Sequence, residues 1–149
     1  MNQDEKWMKI AINEANVAKI LNEIPVGAVI IQNDQLIAKA HNQPISLNDP
    51  TAHAEIQVLR KAGKIQNNYR LVGTTLYVTL EPCLMCLGAM IHARIDRIVF
   101  GAYDNKIGSC GIYKNSDSEK KINHKIIITS GILENDCSNL LKDFFKRKR

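Results

Sequence analysis

His53 and Glu55 stand two residues apart in PTAHAEIQVL, and Cys83 and Cys86 three apart in PCLMC. These are residue types that hold and use a divalent metal. Two cysteines at that spacing on the first turn of a helix point the same way, and the positive end of the helix dipole stabilises their thiolates. Such a pair suits Zn²⁺, whose sites are built mostly from Cys and His. Alone, a Cys-x-x-Cys that follows a strand and opens a helix reads equally well as a thioredoxin-type redox pair. His53 and Glu55 decide for the metal, because a redox pair leaves both unexplained. His53, Cys83 and Cys86 make three ligands and leave one tetrahedral position open, the catalytic pattern. On a helix Glu55 lies about 200° around the axis from His53, poorly placed to share the ion but within reach of water near it. That is the place for a general base.

These residues must be positioned by elements that meet at one edge. Trp7, Ala11, Ala15, Ala18 and Leu21 recur at spacings of four and three, which predicts an amphipathic first helix. VGAVIIQNDQLIAKAHN predicts two strands joined at Asn33-Asp34, the first of them, Val26 to Ile31, apolar enough to be buried on both faces. A helix is expected from about Thr51 to Ala62, stopping at Gly63. Thr74 to Leu80 predicts a strand, Cys83 to about Arg94 a helix, and Asp96 to Ala102 another strand. A loop of about twenty residues follows, long enough to be functional or mobile. His124 to Thr129 could supply a last short strand, and Ile132 to Lys146 a closing helix. This order implies a mixed sheet with helices on both faces, an α/β sandwich. Loops leaving the carboxyl ends of parallel strands converge on one edge, so the helix start carrying His53 and the one carrying Cys83 and Cys86 can meet there.

The chain has 149 residues, one domain's worth, with 45% hydrophobic and 23% charged residues, which excludes a disordered chain. No apolar run nears the ~18 residues of a membrane span. The start, MNQDEKWMKI, lacks a secretory pattern. The expectation is therefore a cytoplasmic protein, with no membrane partner and with reduced cysteines. The net charge is +5, and Lys142, Lys146, Arg147, Lys148 and Arg149 crowd the last nine residues. A polyanionic partner and a solvated tail explain that tail equally well.

His53-Ala54-Glu55 with Pro82-Cys83-x-x-Cys86 resembles the H-x-E…P-C-x-x-C signature of the zinc-dependent nucleobase deaminases. NDPTAHAE, TLEPCLMC, GAYDNKIG, NHKI and GILENDC…DFF are similar to the bacterial tRNA-specific adenosine deaminase family, over essentially the whole chain. Cys110 departs from that pattern, which usually has a smaller residue such as Ala there. The resemblance implies a cytidine-deaminase-like fold: a three-layer α/β/α sandwich with a mixed five-stranded sheet, forming one deaminase domain over residues 1–149. It implies one Zn²⁺ per subunit on His53, Cys83 and Cys86. The implied reaction is hydrolysis of adenosine to inosine at the wobble position of a tRNA anticodon, zinc-activated water attacking C6 and Glu55 shuttling protons.

The resemblance also marks Asn42, Ala54, Asp104, Lys106, Asn123, Phe145 and Arg149 as substrate or RNA contacts. Asn42 matches the residue that hydrogen-bonds the flipped base, and Phe145 and the basic tail match a helix packed on the anticodon loop. A homodimer is implied, with the tRNA anticodon stem-loop near the subunit boundary. Two other readings use the same residues. One is a deaminase of a free nucleobase or nucleotide, against which the basic tail and the Asp104/Lys106 loop argue. The other is a non-catalytic zinc-stabilised RNA-binding module, which needs a fourth ligand from Cys110, Cys137, His92 or His124.

Overall fold

The computed structural model describes residues 2–106, 108, 110 and 124–148. Asn123, Arg149 and most of the long loop expected after Ala102 lie outside the described residues. The elements are α1 (Gln3–Ile20), β1 (Gly27–Gln32), β2 (Gln35–His41), α2 (Pro44–Leu47), α3 (Ala54–Gln66), β3 (Thr75–Leu80), α4 (Leu84–His92), β4 (Arg97–Ala102), β5 (Ile127–Thr129) and α5 (Glu134–Arg147). The strands form one five-stranded sheet in the order β2-β1-β3-β4-β5. Its pairs are antiparallel for β1–β2 and β1–β3, and parallel for β3–β4 and β4–β5. Only β1 is therefore reversed, and the carboxyl ends of the other four strands share one edge. The fifth strand is shorter than expected from His124 to Thr129, and it runs parallel to β4.

Alternation along the strands sorts the core into two layers. Ala28, Ile30, Leu76, Val78, Ile98 and Phe100 point to the face covered by α3 and α4, where Val58, Leu87 and Met90 pack. Val29, Ile31, Tyr77 and Val99 point to the other face, against Trp7, Met8 and Ala11 of α1 and Cys137 of α5. Because both faces of the sheet's centre are covered, β1 reads as a nearly continuous apolar run, whereas edge strand β2 keeps exposed polar positions. Each buried aliphatic side chain contributes roughly 1.5–3 kcal/mol relative to an exposed one. Gly101 in β4 lets α5 come this close: a Cβ there would lie 2.3 Å from Cys137 Sγ.

The structure differs from the sequence reading at several element ends. Leu21 is exposed and lies past the last turn of α1, so the helix stripe ends at Ala18. The third helix does not stop at Gly63. It continues to Gln66, and Asn67 takes the left-handed closing conformation, with φ 52°, which Asn tolerates as Gly does. It also starts later than Thr51, because Asp49 Oδ1 accepts from the Thr51 N–H and hydroxyl and holds that residue in a turn. Asn33 and Asp34 both have positive φ, as a two-residue hairpin requires.

At the edge far from the strand carboxyl ends, Arg97 grips Asp4 through both guanidinium NH₂ groups, at 2.9 and 2.7 Å, while Tyr77 donates to the same carboxylate. Arg97 also donates to Thr129, which ties β5 to the sheet. These bonds from Arg97, working against partial burial, hold the Asp4 carboxyl below its ordinary range. A lowered folded-state pKa means stabilisation that is present above the unfolded carboxylate value and lost as the pH falls through the folded one. Asp4→Asn should cost about 1 kcal/mol at neutral pH, both side chains being partly wetted. Denaturation at a series of pH values should show the gap to wild type narrowing below about pH 4. A pH-independent gap would show that the charge is not its source.

Candidate metal centre and active-site cleft

α3 and α4 both begin at the shared strand edge, and their N-cap residues are His53 and Cys83. Both have extended backbone, with φ −68° and −76°, and neither side chain caps its own helix. Ser, Thr, Asp or Asn would normally hold that position and satisfy the first free N–H groups. Here the cap is supplied from outside in α3. Asn42, just past β2, accepts from the Ala54 N–H through Oδ1 at 2.7 Å. His53 is thereby released from capping and turned toward the cysteines.

His53 Nδ1 lies 3.6 Å from Cys83 Sγ and 3.5 Å from Cys86 Sγ. One donor atom from each of the three falls within 4.8 Å of the others, and among the described residues no further His, Cys, Asp or Glu joins this group. Two thiols and an imidazole are the donors zinc prefers, and their convergence without helix-capping duties fits that ion. Hydrogen bonds from Cys86 and His53 draw the Cys83 thiol down to about 4, while its bond to Cys83 and burial push Cys86 up. The same contact with Cys83 raises His53.

Glu55 is 4% exposed. Burial pushes its carboxyl up to about 7, and its side chain is hydrogen-bonded to Cys86. Because His53 stands at the N-cap position with extended backbone, outside the helix proper, the helical-wheel angle does not govern the pair, and the Glu55 carboxyl is hydrogen-bonded to Cys86 beside the other donors.

A cleft of about 600 Å³ opens over this group, and its walls include Asn42, His53, Glu55, Cys83, Asp104, Lys106 and Phe145. Cys86 is fully buried beneath. Ala54 is buried and does not line the cleft; its N–H is committed to Asn42. Lining residues that the sequence reading missed include the polar or aromatic Glu81, Tyr103 and Asn105 and the apolar Ile24, Val26, Leu80 and Leu141. Glu81 and Tyr103 follow directly on β3 and β4, and an acid ending the apolar run TLYVTLE was the available signal. Cys110 and Cys137 are buried outside the donor group.

A mixed sheet with helices on both faces and this donor set at its carboxyl edge is the architecture of a zinc-dependent deaminase. Residues 1–102 match the family model of the cytidine and deoxycytidylate deaminase zinc-binding region. The tRNA-specific adenosine deaminase of Buchnera aphidicola subsp. Baizongia pistaciae is 51% identical over 99% of this chain and 91% of its own. That of Bacillus subtilis is 45% identical over 100% of this chain and 92% of its own. A solved structure from studies of A-to-I editing by tRNA:A34 deaminases at the wobble position of transfer RNA superposes with a TM-score of 0.84. It shares 39% identity and covers 91% of this chain and 99% of its own. The chain belongs to the cytidine and deoxycytidylate deaminase family, on its tRNA-specific adenosine deaminase branch.

Proposed function

We propose that this chain is a zinc-dependent deaminase that converts adenosine to inosine at the wobble position of a tRNA anticodon. The observation that carries this reading is a buried carboxylate beside a His-Cys-Cys donor group at the floor of a cleft, in a chain of this family. Zinc, held by His53, Cys83 and Cys86, supplies Lewis acidity and makes water a competent nucleophile near neutral pH. Glu55 takes one proton from the attacking water and delivers it to ring N1; it then takes the second from the hydroxyl now on C6 and gives it to the amine, which leaves as ammonia as C6=O forms. Overall, C6–NH₂ and water become C6=O and ammonia. Asn42 uses its carboxamide oxygen on Ala54, so its NH₂ group is the side that meets an acceptor on the base. Ala54 contributes to recognition only through that bond.

The base must leave its stack to enter the cleft, and an anticodon loop, already splayed, makes that cheapest. Asp104, Lys106 and Phe145 stand on the cleft wall where flanking nucleotides would lie, and Asn123 and Arg149 complete the proposed RNA contacts. Deleting residues 146–149 should weaken stem-loop binding and flatten the plot of log K against log salt by up to about three units. An unchanged slope would return the tail to a solvated role.

The finer parts of this reading are a homodimer and a cytoplasmic location, where substrate tRNA is found and thiols stay reduced. The dimer rests on the family resemblance; a monomer mass at micromolar concentration would remove it. Among the described residues no helix is long and apolar enough to cross a membrane. The direct test of function is incubation with an adenosine-containing anticodon stem-loop, with and without a chelator. Inosine should form only without it, and free adenosine should react far more slowly. Equal turnover of free adenosine would replace the tRNA reading with a nucleoside one.

A further inference from the structure

The residue before Pro82 is a buried acid that takes no part in the chemistry above. The Glu81 N–H donates to Ala102 O at 2.8 Å, which carries the β3–β4 contact past the strand end. Its carboxylate, in a residue 8% exposed, faces the chain leaving β4. Oε1 accepts from the Asp104 N–H and Oε2 from the Cys110 N–H, each at 3.1 Å. A carboxylate withdrawn from water is stable only when its oxygens are met in this way.

Further bonds link Asp104 to Lys106 and Gly108. The Gly108 N–H donates to Asp104 O at 3.1 Å, and the Lys106 N–H to Asp104 Oδ1 at 3.0 Å. Gly108 also pairs antiparallel with Cys83, one of the zinc ligands. A Cβ on Gly108 would stand 2.4 Å from both Asp104 O and Glu81 Oε1, so the closure admits only glycine. Residues 81 and 83 therefore tie down the chain leaving β4 at Asp104, Gly108 and Cys110, and the turn from Asp104 to Gly108 carries Asp104, Asn105 and Lys106 on the cleft wall.

We propose that Glu81 is a positioning residue for RNA recognition: its buried carboxylate holds the Asp104–Gly108 turn in register with the metal-ligand segment. Asp104 and Lys106 then face the cleft that contains Glu55. This inference rests on the tRNA-deaminase reading, and it assigns Glu81 to substrate binding rather than to the metal.

Two variants attack the clasp from opposite sides. Glu81→Gln keeps the side chain's size but replaces one acceptor with an NH₂ group that cannot receive an amide N–H. Gly108→Ala wedges the turn away from the carboxylate. Both should retain one zinc per chain, an unchanged visible spectrum after cobalt substitution, and kcat within about threefold of wild type. Both should raise KM, and the stem-loop Kd measured by fluorescence anisotropy, by roughly tenfold. The double variant should be little worse than the worse single one, because both remove the same tie.

Kd and KM within about twofold of wild type in both variants would overturn the proposal. So would loss of zinc, an altered cobalt spectrum or loss of the fold in both, since Glu81 would then serve the metal site or the fold. A wild-type protein that binds the stem-loop but forms no inosine would strike the deaminase reading instead, and the Kd comparison would still test Glu81.

Discussion

Glu55→Ala should reduce turnover of an anticodon stem-loop by about three powers of ten or more while leaving zinc content and RNA affinity near wild type. General acid–base groups contribute roughly 10²–10⁴, and the proposed cycle passes both protons of the water through this carboxyl, one to ring N1 and one to the amine. A thousandfold loss is about 4 kcal/mol of barrier. The location of Glu55 makes the loss specific. The side chain is nearly sealed from solvent and hydrogen-bonded to Cys86, yet it lies on the cleft wall and outside the donor trio. Solvent therefore has little access to act in its place. Single-turnover kinetics should place the whole effect on the chemical step, with the anisotropy Kd unchanged. Activity within tenfold of wild type would remove the shuttle role; loss of zinc would show that the carboxyl belongs to the metal's own environment.

Cys86→Ala should lose both metal and activity. Structural zinc sites with four ligands bind with about 10–16 kcal/mol, so one ligand in a smaller set is worth roughly two to three powers of ten in affinity. Cys86 is fully buried and meets both His53 and Glu55, so no exposed neighbour can swing in to replace it. Metal analysis after dialysis should find a tenth of the wild-type zinc or less, and added zinc should restore little turnover. The folded state should also melt earlier, because bound zinc stabilises by mass action only the state that binds it. Full zinc content in this variant would mean that another side chain completes the set. Cys110, already buried with its N–H on Glu81, would be the first to examine.

Much of this architecture was legible because burial on both faces leaves a simple mark. Val26 to Ile31 has no polar face, which only a covered sheet tolerates, and the β-branched and aromatic run Thr74 to Leu80 marks a strand. The hairpin at Asn33-Asp34 was equally plain, since few residue pairs accept two positive φ values. Element ends were less plain. Gly63 looked like a terminator, but Gly inside a helix costs only about 1 kcal/mol, and the closing conformation fell to Asn67. Leu21 continued the apolar stripe by sequence, yet the backbone had already left the helix.

The sequence by itself determined which residues could hold a metal and which carboxylate could accompany them. Residue type and spacing within one helix start are local properties, and His53, Glu55, Cys83 and Cys86 carry them unaided. Only the tertiary structure decided that the two helix starts meet, that Asn42 takes over the cap His53 gives up, and that Glu81 clasps amides 23 and 29 residues further along. Each of these is a bond between distant segments. Nothing in the local pattern of either segment names its partner, because the partner is set by strand order and direction once the sheet has closed.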